Sequence, residues 1–430
     1  VSPSPPHDPS QDPSPDPSGD RSHDPTAPAE TADVAGFLVR LGRALHTYGT
    51  PSHRNELALR RISERLGVRG QFLVTPTSIL AAVGDDDEGQ TLRLARVDAG
   101  ETDLQKLTRI HQVIRDVFDG SLPLRRARAV IDEIEQAPPA YGRFAAWIAF
   151  TATSAAAARF FDGGVQEMLA AAVAGAAVGL LNLIGGASER VSRLLPALSG
   201  LLAALVAAAG SSMAGAFAPI TVLASLIVLL PGLTLTVAMN ELALGHVVSG
   251  SARLTSATVT FLQLGFGVAL GGEVARRLIG SPEAVAQPVH LPEWTLWPAL
   301  VVGALSLTVL FRARGRDALL VLVMAGVAFF TARTGAEAFG PELGAGLGAL
   351  ALGVAANLAS RWLDQPSAIA LIPALLLLVP GSLGFRSLQA LMAKDVVGGI
   401  ESLVSMAIVA IALVSGLLVA NLLMTPRRLL

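Results

Sequence analysis

From Phe144 onward the chain is built for lipid. Ten apolar stretches of about 16–22 residues follow one another, at 144–161, 166–184, 194–210, 216–236, 254–271, 296–311, 317–333, 341–359, 367–385 and 402–424. Each approaches the roughly 20 residues a helix needs to cross a hydrocarbon core. The expected fold class is therefore an α-helical polytopic membrane protein with ten transmembrane helices. Several stretches are rich in Ala and Gly, which suits close packing between helices. Gly175–Gly179, Gly267–Gly271 and Gly344–Gly348 each show GxxxG spacing.

Charge is unevenly spread. Only 15% of the residues are charged, against about 25% in soluble proteins, and most of that charge lies before residue 140. Residues 1–30, rich in Pro, Ser and Asp, cannot bury enough apolar surface to offset their ordering entropy and read as a disordered tail. They also lack the apolar core of a cleavable signal, so the first membrane helix is expected to direct insertion itself.

Residues 31–140 read as a small α+β soluble domain. Val34, Phe37, Leu38, Leu41 and Leu45 recur at helical spacing. Thr50 and Pro51 read as N-cap and first residue of a second helix carrying Leu57, Leu59, Ile62 and Leu66. QFLVTPTSILAAV is extended and interrupted at Pro76. An acidic turn, GDDDEGQ, leads to TLRLARV, which alternates as a half-buried strand does. Two helices follow, and Pro138–Pro139 close the domain. The membrane part then divides into 141–275 and 290–425.

That division rests on a repeat. LLPGLTLTVAMNELALGHVVSGSARL (229–254) aligns without gaps to LVPGSLGFRSLQALMAKDVVGGIESL (378–403), with eight identities in twenty-six positions. The offset of 149 residues carries the first five apolar stretches close to the last five. Two copies of a five-helix unit must enter the membrane from opposite sides, because five is odd. Two inverted five-helix repeats are a hallmark of secondary transporters. Arginine and lysine in the short loops set the orientation. Arg190, Arg193, Arg253, Arg312, Arg314, Arg316, Arg361, Arg427 and Arg428 fall on one side, and Arg276, Arg277, Arg333, Arg386 and Lys394 on the other. The bias places both termini in the cytoplasm.

Within the repeat, Pro231–Gly232 and Pro380–Gly381 are expected to break their helices. Irregular backbone at membrane depth is tolerated where it lines a cavity. The expected substrate-binding set is Pro231, Gly232, Thr234, Thr236, Asn240, Glu241, Pro380, Gly381, Ser382 and Arg386. Ionisable residues among apolar spans tend to be functional. Of Glu241, Arg386, Asp395 and Glu401, Glu241 and Asp395 are the expected proton-coupling groups. Asn182, Asn357 and Asn421 read as hydrogen bonds between helices.

Other chemistry is missing. The chain has no cysteine, which excludes disulfides, thiolate catalysis and Cys-type zinc sites. Its histidines, including His7 and His23 in the tail, show no metal-ligand spacing, and the GDDDE run lacks the spaced ligands of a calcium loop. No nucleotide or hydrolase motif occurs, so neither a cofactor nor an enzyme activity is expected. A net charge of −2 without a basic patch gives no reason to expect nucleic acid. His53 and Arg54 start a helix of the soluble domain and read as a solvated or capping face, or else as a partner or substrate contact.

The segments LVRLGRALHTYGTPSHRNELALRRISERLG, VTPTSI, LLPG and LVPGSLGFRSL resemble the bacterial threonine/serine exporter family. The resemblance covers residues 33–424. It implies ten membrane helices, a cytoplasmic N-terminal domain and a bacterial cell-membrane location. The activity it implies is efflux of L-threonine and L-serine driven by protons. Its partners would be small amino acids, protons and the lipid bilayer, and a homo-oligomer is open. Pro231–Gly232, Pro380–Gly381, Ser249, Gly250 and Arg253 match the family pattern, Glu241 stands where an Asp is usual, and His246 replaces a second acidic residue. Two alternatives remain: a transporter of another small metabolite on the same scaffold, and a membrane sensor or enzyme acting through the N-terminal domain. A channel is disfavoured by the repeat.

Overall fold

A computed structural model describes residues 27–84, 89–98, 102–186, 188–280 and 288–425. Most of the predicted tail, the acidic residues 85–88, and Arg427 and Arg428 lie outside the described residues.

The N-terminal part begins with α1 (Ala27–Thr47) and α2 (Ser52–Arg65). Three strands follow, β1 (Gly70–Val74), β2 (Ser78–Val83) and β3 (Thr91–Arg96), then α3 (Leu104–Phe118) and α4 (Leu124–Gln136). The strands form one antiparallel sheet in the order β1-β2-β3. The helical periodicity of the sequence becomes the core. Phe37, Leu38, Leu41 and Leu45 of α1 meet Leu59 and Ile62 of α2, Ile79 of β2 and Ile110 and Ile114 of α3, all of them buried. Two local expectations differ from the structure. Helix α1 starts at Ala27, inside the segment read as tail. Strand β3 is not half-buried, because the row Leu73–Leu80–Leu94 lies on the outer face of the sheet and leaves Leu92 and Leu94 exposed.

The apolar part follows. It comprises α5 (Arg143–Phe160), α6 (Val165–Gly185), the short α7 (Glu189–Ser192), α8 (Leu195–Ala214), α9 (Ala218–Leu226), α10 (Gly232–Ala243) and α11 (Val247–Ile279). Next come α12 (Leu296–Leu310), α13 (Ala318–Phe339), α14 (Pro341–Leu363), α15 (Ser367–Leu375), α16 (Gly381–Met392) and α17 (Val396–Leu423). Among the described residues, seven helices are long and apolar enough to cross a bilayer. The protein is thus a helical polytopic membrane protein.

The other three predicted spans differ for identifiable reasons. The stretch 144–161 is α5, rich in Ala, Thr and Ser with an arginine near each end, and too weakly apolar to rank with the seven. The stretches 216–236 and 367–385 are not single helices. Each is split into two short helices, α9 with α10 and α15 with α16, at the Pro-Gly pair.

Contacts define two ends of the helical part. The near end abuts the N-terminal domain: Leu104 and Gln105 N–H donate to the Phe311 and Arg312 carbonyls at 3.0 and 3.1 Å. At the far end, Arg159 Nε donates to Thr295 Oγ1 at 2.6 Å, joining the close of α5 to the start of α12. Tyr141, just before α5, reaches Gly315, just after α12. Helices α5 and α12 therefore run antiparallel.

All three GxxxG pairs sit at close helix crossings. A Cβ on Gly175 would collide with Ser154 of α5, one on Gly267 with the Ala197 carbonyl of α8, and one on Gly344 with Ala332 and Ala336 of α13. Interhelical amides add to this packing. Asn357 Nδ2 donates to Asn421 Oδ1 at 3.0 Å, and Asn182 Nδ2 to Ser199 Oγ at 3.1 Å. Replacing Gly267 by Leu should wedge α11 from α8 at a cost of about 1–3 kcal/mol. A lowered melting temperature in detergent is the expected result, and an unchanged one would contradict this packing.

Candidate functional site

The site grows from the two breaks. A proline cannot donate to the preceding turn, so α9 ends at Leu226 and α10 starts afresh at Gly232. Short turn bonds take up the freed groups: Leu229 N–H donates to Leu226 O at 2.8 Å, and Leu378 N–H to Leu375 O at 2.9 Å. The two breaks meet. A Cβ on Gly232 would lie 3.1 Å from Gly381 Cα, and one on Gly381 would lie 3.3 Å from Gly232 Cα. At Gly232 a Cβ would also collide with the Val379 side chain, and at Gly381 it would be tight against α10, so glycine suits this close approach.

A cavity lies on each side of this crossing. The near cavity, of about 130 Å³, is walled by α2 and α3 of the N-terminal domain and by α10, α14, α15 and α17. Its polar lining includes Arg54, His53, His111, Thr236, Asn240, Asn357, Asn421 and Ser367. The far cavity, of about 350 Å³, is lined by Thr153, Phe161, Asp162, Arg333, Ile227, Val379 and Ser382. Each cavity holds a buried polar atom with no partner among the described residues, His53 Nδ1 in the near one and Thr153 Oγ1 in the far one.

The predicted site residues are dispersed. Thr236 and Asn240 line the near cavity and Ser382 the far one. Gly232 and Gly381 form the crossing, with Pro231 and Pro380 at the breaks. Thr234 lines neither cavity. Arg386 is exposed, its guanidinium 5.6 Å from the Phe161 ring. Asp395 is exposed and caps α17, accepting from Gly398 N–H at 3.0 Å.

Glu241 is fully buried at the seam with the N-terminal domain. Its Oε1 accepts from Ser52 N–H at 2.9 Å, and its Oε2 from Arg253 Nε at 3.1 Å. No side chain of α2 caps its own helix, so Glu241 supplies the carboxylate that a helix N-terminus favours. The expected cap at Thr50 is replaced by this contact across the seam. Ser249 Oγ donates to the Val74 carbonyl at 3.0 Å, and His246 Nδ1 stands 3.5 Å from Glu56. Of the residues read as one motif, Glu241, His246 and Ser249 thus contact the N-terminal domain, and Arg253 holds Glu241.

Sequence reading missed several groups. His111, in mid-helix on α3, gave no signal. Glu167 is buried, accepting from Gly164 and Phe217 N–H at 2.8 and 2.7 Å, and Arg159 is buried beside Thr295. Their positions at the ends of apolar stretches were the available clue.

Two family models match the chain, both for the threonine/serine exporter ThrE, one over residues 36–275 and one over 298–423. The chain belongs to the threonine/serine exporter family. Among its curated relatives, pheromone-regulated membrane protein 10 of Debaryomyces hansenii is 26% identical over 82% of this chain and 36% of its own length. The protein of that name in Saccharomyces cerevisiae is 25% identical over 82% of this chain and 46% of its own. An uncharacterized protein of Schizosaccharomyces pombe is 26% identical over 81% and 47%. The chain thus spans about a third to a half of these relatives. No solved structure matches it.

Burial shapes the electrostatics of the near cavity. It pushes His53 down to about 3, helped by the charges of Arg54, His246 and Arg253. His111 is also pushed to about 3, by burial and then by Arg54 and Arg115. Burial alone holds Arg54 below its usual range. Both imidazoles are neutral in the fold but titrate near 6.5 when unfolded. Between those values the unfolded chain binds more protons, so stability falls as pH drops from about 6.5 toward 3. Replacing both with Gln should flatten that fall by up to about 1.4 kcal/mol per pH unit for each imidazole. Thermal unfolding between pH 7 and 4.5 measures it, and an unchanged slope would show that neither ring is buried neutral.

Proposed function

We propose that this chain is a secondary exporter of small amino acids, L-threonine and L-serine, working by proton-coupled alternating access. The observation that carries the reading is the pair of cavities on opposite sides of the Gly232–Gly381 crossing. A transporter needs a thin barrier that can open toward either face, and two touching broken helices supply one. Family membership supports the substrate class.

The membrane part is ten spans in two inverted five-span repeats, with each broken pair counted as one span. Element order recurs at the 149-residue offset: α9, α10 and α11 begin at 218, 232 and 247, and α15, α16 and α17 at 367, 381 and 396. The antiparallel course of α5 and α12 supports the inversion. Both termini and the N-terminal domain, 31–140, lie in the cytoplasm, and the domain covers the near cavity. Single cysteines test this cleanly, because the chain has none of its own. Gln166→Cys, at the far end, should label from outside, and Ser188→Cys, at the near end, only after permeabilisation. Labelling of both from one side would defeat the topology.

Glu241 is the coupling group. Protonation removes its charge from Arg253 and weakens its hold on Ser52, so proton uptake and undocking of α2 are linked. In vesicles loaded with radiolabelled threonine, a pH gradient should drive efflux by the wild type. Glu241→Gln should lose at least tenfold of the gradient-dependent rate. Normal pH-dependent efflux by Glu241→Gln would remove Glu241 from the mechanism, and unimpaired efflux by Gly232→Val with Gly381→Val would remove the crossing.

A further inference from the structure

We infer that Arg54 anchors the carboxylate of a small solute in the near cavity, so the N-terminal domain supplies a binding residue as well as a cover. The inference rests on reading that cavity as the solute site.

The charges around this cavity are otherwise matched. Arg253 meets Glu241 at 3.1 Å, Arg312 meets Asp103 at 3.7 Å, and Arg115 pairs with Asp364. Arg54 stands apart. It is half-buried on the cavity wall, and no described residue gives it a hydrogen bond or an ion pair. No Asp or Glu lines the cavity with it. A guanidinium withdrawn from bulk water without a partner is unfavourable. A carboxylate entering the cavity would supply that partner, accepting two parallel N–H bonds from the planar fork.

The rest of the wall separates the two ends of a zwitterion. Asn357 Nδ2 already donates to Asn421 Oδ1 and to the Met424 carbonyl, at 3.0 and 2.8 Å, which leaves its own oxygen to accept. With Asn240 it offers an ammonium only neutral acceptors. Charge-assisted recognition is therefore concentrated on the carboxylate. Leu233 and Leu371 give the remainder of the solute an apolar surface. The class selected is a small carboxylate carrying a hydrogen-bonding substituent. Arg54 lies two residues from Ser52, whose N–H is held by Glu241, so the docking that closes the seam brings the start of α2 to the cavity wall.

Calorimetric titration of the purified full chain in detergent, with L-threonine, L-threoninol and L-lactate, tests this. Threoninol lacks the carboxylate and should bind the wild type at least tenfold more weakly than threonine. Arg54→Gln should lose at least tenfold for threonine and bind threoninol no more weakly than the wild type does, with Arg54→Lys intermediate. Equal binding of threonine and threoninol by the wild type would overturn the inference without any variant. So would wild-type affinity for threonine in Arg54→Gln, or failure of both carboxylates to bind. If lactate binds through Arg54 and threonine does not, the anchor stands and the amino-acid reading of the function falls.

Discussion

A helix cannot break inside hydrocarbon unless something other than lipid takes up its backbone groups. That requirement organises the membrane part of this protein. Prolines 231 and 380 stop two helices partway, and the freed groups are satisfied in tight turns. The glycines that follow bring the two breaks against each other. Long helices must surround such a pair, and their own approach depends on small residues at the crossings of α5 with α6, α8 with α11 and α13 with α14. The cavities are what remains above and below the crossing once these helices have closed around it.

The second constraint is at the near end. Helix α2 enters the structure without a local cap, and its first N–H is satisfied by a carboxylate 189 residues away in sequence. Glu241 in turn is tolerable while buried because Arg253 and that N–H hold it. Neither half of this arrangement is complete alone. The N-terminal core also extends past its own domain, since buried Ala313 belongs to it and Phe311, Ala368 and Ile372 pack against it.

Much of this was legible in the sequence. Helical periodicity gave α1 and α2, the turn at Pro76 separated β1 from β2, and the repeat located both helix breaks. The exposed face of β3 was not legible, because alternation shows that two faces differ and not which one is covered. The cavity linings were legible in part. Thr236, Asn240 and the glycines follow from their place beside a break. Arg54 was read both as a solvated face and as a substrate contact, and His111 gave no signal, since a polar residue on an amphipathic helix looks solvated until another part of the chain closes over it. Glu241 was singled out as an isolated acid in an apolar segment, but its partner Ser52 is a backbone group, and no side-chain pattern announces that.

The near and far ends of this molecule are covered differently. The near cavity lies under a folded domain fastened by backbone hydrogen bonds at Ser52, Leu104 and Gln105. The far cavity is bordered by the short connection after α5 and the start of α12. The inverted repeats proposed above would, alone, give opening toward either face the same free energy. A cover fastened at one end removes that degeneracy. In the alternating-access mechanism proposed above, the resting population would then be set by the strength of that docking interface.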